Sequence, residues 1–165
     1  MIAAVKGYAI GGGNHLAYMC DFTICADNAV FGQTGPRVGS PAPATVVAYL
    51  TRVVGAKKAR EIWLLCRQYT AQEALEMGLI NKVVPIDRLE EEVDLWCEEI
   101  LKLSPTIIEI HKAAFDTFDV YPYYKGSGVI GRRMAPYVWD SEEVKEAQTA
   151  FFEKREPSFW KDRMR

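Results

Sequence analysis

The sequence lacks an excess of either charge: 20 Lys and Arg stand against 22 Asp and Glu, a net −2. That balance excludes the broad basic field by which proteins hold nucleic acid or an anionic membrane. No apolar run approaches the ~20 residues needed to span a bilayer. The amino end, Met1 to Gly7, shows no charged leader ahead of an apolar stretch, so it does not read as a signal peptide. It opens directly on what reads as a buried strand, and the expectation is a chain that is part of a longer protein. Histidine is scarce: His15 and His111 are far apart and match no metal spacing, so no metal site is expected. The four cysteines, Cys20, Cys25, Cys66 and Cys97, form no C-x-x-C pair and lie in apolar segments. They read as buried free thiols in a reducing cytosol, placing the protein in the cytoplasm. Internal repeats and low-complexity segments are absent.

What is present is the composition of a globular chain about one domain long, 165 residues with 49% hydrophobic and 25% charged. Ile2 to Val5 reads as a strand, Gly7 to Gly13 as a loop and Asn14 to Cys20 as a short helix. Asp21 to Cys25 and Ala29 to Phe31 are rich in β-formers, with Asp27-Asn28 as the turn between them. Gly32 to Pro43 reads as a long loop. Ala44 to Val54 and Lys57 to Arg67 read as helices punctuated by Gly55. Thr70 and Glu73 have the spacing of a capping box, and Leu79 to Val84 reads as a strand. Asp87 with Glu90 repeats that cap spacing. Leu89, Val93, Trp96, Cys97, Ile100 and Leu101 then follow at intervals of three and four, one face of an amphipathic helix. Ser104-Pro105 opens a further helix. Asp140 to Glu143 opens the last one, ending near Lys154-Arg155. Phe118 to Pro136 shows no clear period.

The junction Ala9-Ile10-Gly11-Gly12-Gly13-Asn14-His15-Leu16 stands out. Glycine loses more backbone freedom on folding than any other residue, so three in a row need a reason. A strand, then glycines, then a helix presents unpaired backbone N–H groups at the positive end of the helix dipole. A Walker loop requires Gly-Lys-Ser/Thr, and Asn14-His15 stand there instead. A dinucleotide loop requires a third glycine where Leu16 stands. Two readings remain: an oxyanion hole for a carbonyl oxygen, or tight helix–sheet packing that only glycine permits.

Gly7-Tyr8-Ala9-Ile10-Gly11-Gly12-Gly13, Cys20-Asp21 and Ala29-Val30-Phe31-Gly32-Gln33 closely resemble the crotonase (enoyl-CoA hydratase/isomerase) superfamily. The segments REIWLLCRQYTAQEALEMGLINKVV and FFEKREPSFW continue the likeness over nearly the whole chain. The resemblance implies an α/β fold, a partial ββα spiral over residues 1–85 carrying the glycine loop. Residues 86–165 would form a helical carboxyl-terminal region serving oligomerisation and completing the CoA pocket. It further implies a trimer or pair of trimers, an acyl-CoA substrate with no tightly bound cofactor, and a thioester oxygen held by the amide of Gly12. The family's second oxyanion amide comes from a segment upstream of anything present here, so the chain resembles the carboxyl-terminal part of such a protein.

Hydratases of this family carry one glutamate where His15 stands and another where Gly35 stands, so ordinary hydration is disfavoured. FGQTGPRVGS and KKAREIW resemble a narrower group, 1,4-dihydroxy-2-naphthoyl-CoA synthase and 2-ketocyclohexanecarboxyl-CoA hydrolase. In one class of those synthases glycine at the Gly35 position leaves room for bicarbonate as the base, in a pocket matching Gln33, Thr34, Gly35 and Trp63. Trp63 alone would read first as core on a helix face. Two positions depart from the group: Ala42 replaces an aspartate two residues after the retained Ser40, and Trp139 replaces a catalytic tyrosine, with Tyr137 nearby as the substitute. His15 is a candidate for proton transfer or else a hydrogen-bonded helix residue. His111 reads as structural. Lys154 matches a basic residue that approaches CoA phosphate, or else is a solvated helix end. The expected function is an acyl-CoA lyase or hydrolase stabilising a thioester enolate during C–C bond formation or cleavage of a cyclic acyl-CoA. The alternative is an inactive piece that only binds acyl-CoA or assembles with partners.

Overall fold

The computed structural model describes residues 1–115, 137 and 140–158. Strands β1 to β4 alternate between two three-stranded sheets. Strand β1 (Ile2–Val5) and β3 (Phe22–Ala26) run parallel with Ile2 opposite Phe22, and β6 (Lys82–Val84) adds parallel to β3. Strand β2 (Tyr8–Ile10) runs parallel to β4 (Val30–Gly32), and β5 (Gln68–Thr70) pairs antiparallel with β4. The orders are β1-β3-β6 and β2-β4-β5. Two strands, one for each sheet, are followed by a helix: α1 (Gly12–Met19) after β2, then α2 (Gly35–Val38), α3 (Ala44–Val54) and α4 (Ala56–Leu65) after β4. Two turns of a ββα spiral are therefore present, as expected from the sequence. Helix α5 (Ala71–Glu76) returns the chain from one sheet to the other.

Alternation along β3 decides what each sheet face meets. Ile24 and Ala26 form a cluster with Val84 and Leu89, covered by Val93 and Trp96 of α6 (Leu89–Leu101). Cys25 faces the main core of Tyr18, Phe31, Leu50, Ile62, Trp63 and Tyr69. The edge of Phe22 meets the Trp96 ring at 5.3 Å between centroids. Leu89 is fully buried, and such a side chain contributes about 1.5–3 kcal/mol. Helix α7 (Pro105–Phe115) follows, and α8 (Glu142–Phe152) packs on α2.

The capping box forms as its spacing implies. Thr70 Oγ1 accepts from the Glu73 amide at 3.3 Å, and Glu73 Oε2 accepts from the Thr70 amide at 2.8 Å. Ser141 Oγ caps α8 through the Val144 amide at 3.3 Å. Elsewhere the structure departs from the sequence reading. Tyr8 to Ile10 form a strand rather than loop, because pairing with β4 overrides the weak local preference of three residues. Helix α1 begins at Gly12, two residues earlier than expected. Gly35–Val38 form one helical turn within the expected loop. The cap expected at Asp87 is not made: residues Ile86–Arg88 coil into a 3₁₀ turn that runs into α6 with no side-chain cap. The strand expected from Leu79 is confined to Lys82–Val84, since the Leu79 amide bonds to Ala74 and the Asn81 amide to Thr23. Cys25 and Cys66 are buried free thiols, whereas Cys20 and Cys97 are only half-buried. Phe118 to Pro136 and Trp139 lie outside the described residues. Among the described residues no helix is long and apolar enough to cross a membrane, and no cluster of side chains could hold a metal ion.

Candidate active site

The site begins where the second sheet ends. The last rung of the β2–β4 ladder is the Gly11 amide donating to the Gly32 carbonyl at 3.0 Å. Gly11 then turns the chain at φ 59, ψ −117, a conformation open to glycine, and α1 starts at the next residue. The amides of Gly12 and Gly13 precede the first intrahelical acceptor and have no backbone partner among the described residues. Both residues are exposed, and a β-carbon at either would meet nothing within 4 Å. Helix–sheet packing therefore does not explain glycine at 12 and 13.

Asn14 locks this turn to β4. It is fully buried, and its Nδ2 donates to the same Gly32 carbonyl at 3.2 Å. One residue on, the His15 Nε2 lies 3.1 Å from Gln33 Oε1, and the imidazole packs 5.4 Å from the Trp63 ring and 5.9 Å from Tyr18. Burial lowers the His15 pKa below its ordinary 6.5, with the Gln33 contact opposing that shift, so the ring is neutral at pH 7. Tyr18 donates to the Val46 carbonyl at 2.9 Å, and burial pushes its phenol far above the ordinary range. It is a wall for the imidazole, not an acid.

Gln33 follows β4 directly and Trp63 sits on α4. Gln33 Nε2 and Trp63 Nε1 are buried without a hydrogen-bond partner, as is Asn14 Oδ1. A buried donor left unpaired costs about 1–3 kcal/mol, so each of these nitrogens calls for an acceptor. The Thr34 hydroxyl borders the glycine turn, 3.4 Å from where a β-carbon on Gly11 would lie. Gly35 is glycine for want of space: a β-carbon there would sit 2.8 Å from the Ser40 carbonyl oxygen and 3.6 Å from the Trp63 ring. The opening expected at Gly35 is thus closed by the Ser40 backbone, and a carboxylate at that position requires the 35–40 turn to move.

The structure brings Gly12, His15, Gln33, Thr34, Gly35 and Trp63 together. It does not bring in the other three candidates. The Ser40 side chain is exposed, and only its carbonyl reaches the cluster. Tyr137 is 68% exposed and neither hydrogen-bonds nor stacks with any cluster member among the described residues. Lys154 lies past the end of α8 at φ 55, exposed and without an ion pair among the described residues. Ala42, at the position of the missing aspartate, packs on the main core. Asn14 was not a sequence candidate. Its signal was present in the GGGN order, which places an amide side chain one helical residue past the glycines, facing back to the strand.

A family model described as enoyl-CoA hydratase/isomerase matches residues 1–163. Among solved structures, the chain is similar to a methylmalonyl CoA decarboxylase at 29% identity and TM-score 0.81, covering 96% of this chain and 62% of that one. It is similar to an enoyl-CoA hydratase from Mycobacterium avium subsp. paratuberculosis K-10 at 28% identity and TM-score 0.85, with coverages of 96% and 64%. An enoyl-CoA hydratase/isomerase from Pseudoalteromonas atlantica T6c gives 32% identity and TM-score 0.83, with coverages of 96% and 63%. The chain spans less than two thirds of the length of each.

Proposed function

The chain belongs to the enoyl-CoA hydratase/isomerase family of the crotonase superfamily, and from that premise we propose that it is an acyl-CoA enzyme of the naphthoyl-CoA synthase-like group. It would act as a lyase or hydrolase, stabilising a thioester enolate while a C–C bond of a cyclic acyl-CoA forms or breaks. The observation that carries the reading is the Gly12 amide, freed where the ladder ends at Gly11 and open to a ligand. An enolate oxygen placed there meets a fixed donor at a helix N-terminus, and one such donor is worth about 3–4 kcal/mol in the transition state. Residues 1–85 supply this site and residues 86–165 complete the CoA pocket, with Lys154 toward its phosphates.

Gly12 occupies the first helical position, where proline is tolerated because its missing N–H has no intrahelical acceptor. Gly11 lies outside the helical region that a following proline disfavours. Gly12→Pro therefore removes the donor with little change to the fold. A panel of cyclic 2-oxo and aromatic acyl-CoAs should show turnover reduced about 10²–10³-fold in that variant, at unchanged circular dichroism. Undiminished turnover in Gly12→Pro rejects the reading. Binding of acyl-CoA without turnover by the unaltered protein would favour the second reading, a piece that binds acyl-CoA but does not act on it.

The two unpartnered donors support bicarbonate as an accessory anion. Gln33 Nε2 and Trp63 Nε1 would hold it, with the Thr34 hydroxyl beside them, and when bound it would serve as a second proton-transfer group beside His15, outside the space that the Ser40 carbonyl closes at Gly35. Assembly as a trimer or pair of trimers belongs to the same proposal. It is supported by Leu101, Leu103, Ile107, Ile110 and Phe115, all exposed along α6 and α7 and the turn between them. A cytoplasmic location is supported by the free thiols.

A further inference from the structure

Resting on that enolate reading, we infer that Gln33 is a positioning residue: it holds His15 in the tautomer protonated at Nε2, which makes Nδ1 the atom that takes the proton from the carbon next to the thioester. Gln33 is 1% exposed, and its Oε1 lies 3.1 Å from His15 Nε2. An amide oxygen only accepts, so the hydrogen of that contact belongs to Nε2, and neutral imidazole then has a bare lone pair at Nδ1. Nδ1 has no hydrogen-bond partner among the described residues. Unlike the Gln33 and Trp63 nitrogens, it is not sealed from solvent without one. Trp63 and Tyr18 both pack against the ring, and so limit its rotation.

The helix sets the rest of the geometry. A helical side chain leans toward the helix N-terminus and covers the turn before it. His15 is three residues beyond Gly12, on the same face, so its ring leans over the turn that carries the free Gly12 amide. Proton removal at the carbon next to the thioester forms the Nδ1–H bond of an imidazolium. The electron pair of the broken C–H bond becomes the enolate C=C bond, and the carbonyl π pair moves onto the thioester oxygen at the Gly12 amide. Return of that proton to carbon or leaving group restores the neutral ring. Burial favours the neutral ring at rest, and the Gln33 oxygen steadies the imidazolium formed in the step. Asn14, which ties α1 to the carbonyl beside Gln33, keeps helix and strand in register.

The chain has only two histidines, which makes the tautomer directly readable. Ring ¹⁵N spectra of histidine-labelled full chain above pH 7, with His111→Gln for assignment, should show His15 Nε2 protonated and Nδ1 bare. Gln33→Met should shift population toward Nδ1–H. Gln33→Glu should keep the Nε2–H form and raise the His15 titration midpoint by about one unit or more. It also serves if Gln33→Met does not fold. A dominant Nδ1–H form in the unaltered protein overturns the positioning role. So does a Gln33→Met spectrum like that of the unaltered protein, or a midpoint unmoved in Gln33→Glu. The proton step is read separately, by exchange of the acyl α-hydrogen into deuterated water. His15→Gln should slow it ~10²-fold or more, with acyl-CoA affinity kept. Exchange that persists in His15→Gln overturns Nδ1 as the base. Failure of the enolate reading itself looks different: the unaltered protein catalyses no exchange on any acyl-CoA, while the spectra still report the tautomer.

Discussion

Gly39 and Ala147 approach so closely that a β-carbon on Gly39 would sit 2.8 Å from the Ala147 β-carbon. Gly39 is also left-handed, at φ +66, where it ends α2. The turn that follows Gly35 thus rests directly on α8, and the carboxyl-terminal helix supports the loop from which Thr34 and Gly35 enter the site.

Gly39→Ala should therefore be destabilised on two counts, strain in the left-handed region and overpacking against α8, together about 2–4 kcal/mol. Gly13→Ala is the matched control. Its β-carbon meets nothing within 4 Å and its φ is not positive, so it should be neutral or gain up to about 1 kcal/mol. Denaturant midpoints of the two variants check both expectations.

Stability should fall between pH 7 and 5. His15 has a folded pKa below its unfolded value of 6.5, through burial, so the folded state resists the proton that the unfolded state accepts. The contribution of neutral His15 is fully present above 6.5 and is lost as pH drops through that value toward the folded pKa. Carboxylates held below their ordinary range, such as Glu92 through its bond from Lys82, act at lower pH. Urea unfolding at each pH should show this slope in the unaltered protein and a flatter one in His15→Gln.

Thr70→Ala removes one half of the α5 capping box and leaves the Glu73 amide without its acceptor. The expected loss is about 1 kcal/mol, read as a lowered melting temperature with unchanged acyl-CoA binding.

Turnover should depend on added bicarbonate, and Trp63→Phe should weaken that dependence while keeping an aromatic ring against His15. Removal of an unpaired buried N–H offsets the packing lost with the smaller ring, so the melting temperature should change little. Bicarbonate-independent turnover, or a Trp63→Phe protein that is less stable but equally active, shows that Trp63 only packs.

Much of this arrangement was legible because local chemistry and tertiary structure agree. Thr70 with Glu73 forms the box its spacing specifies, and the glycine junction sits between a strand end and a helix start as its composition implies. The pairing of β2 was not legible, because three residues carry too little preference and the partner strand decides. Nor was the closure at Gly35. Glycine there is consistent with room for an ion, but its cause is the Ser40 carbonyl, a contact made by chain path rather than residue type. The grouping of Gln33, Thr34, Gly35 and Trp63 followed from the family resemblance, whereas the place of His15 beside Gln33 and Trp63 needed the structure. The unpartnered state of the Gln33 and Trp63 nitrogens needed three dimensions, since burial and missing partners are properties of neighbours. Only sequence proximity and family position mark Tyr137 and Lys154, and neither meets the cluster among the described residues.

The strand orders carry a practical consequence for handling. Each sheet ends on a strand from the first ten residues, β1 in one and β2 in the other, and among the described residues neither outer edge has a partner. Two adjoining rows of unsatisfied amides and carbonyls are templates for β-augmentation. For residues 1–165 expressed alone, colloidal behaviour will be set less by the net charge of −2 than by whatever strand completes those edges.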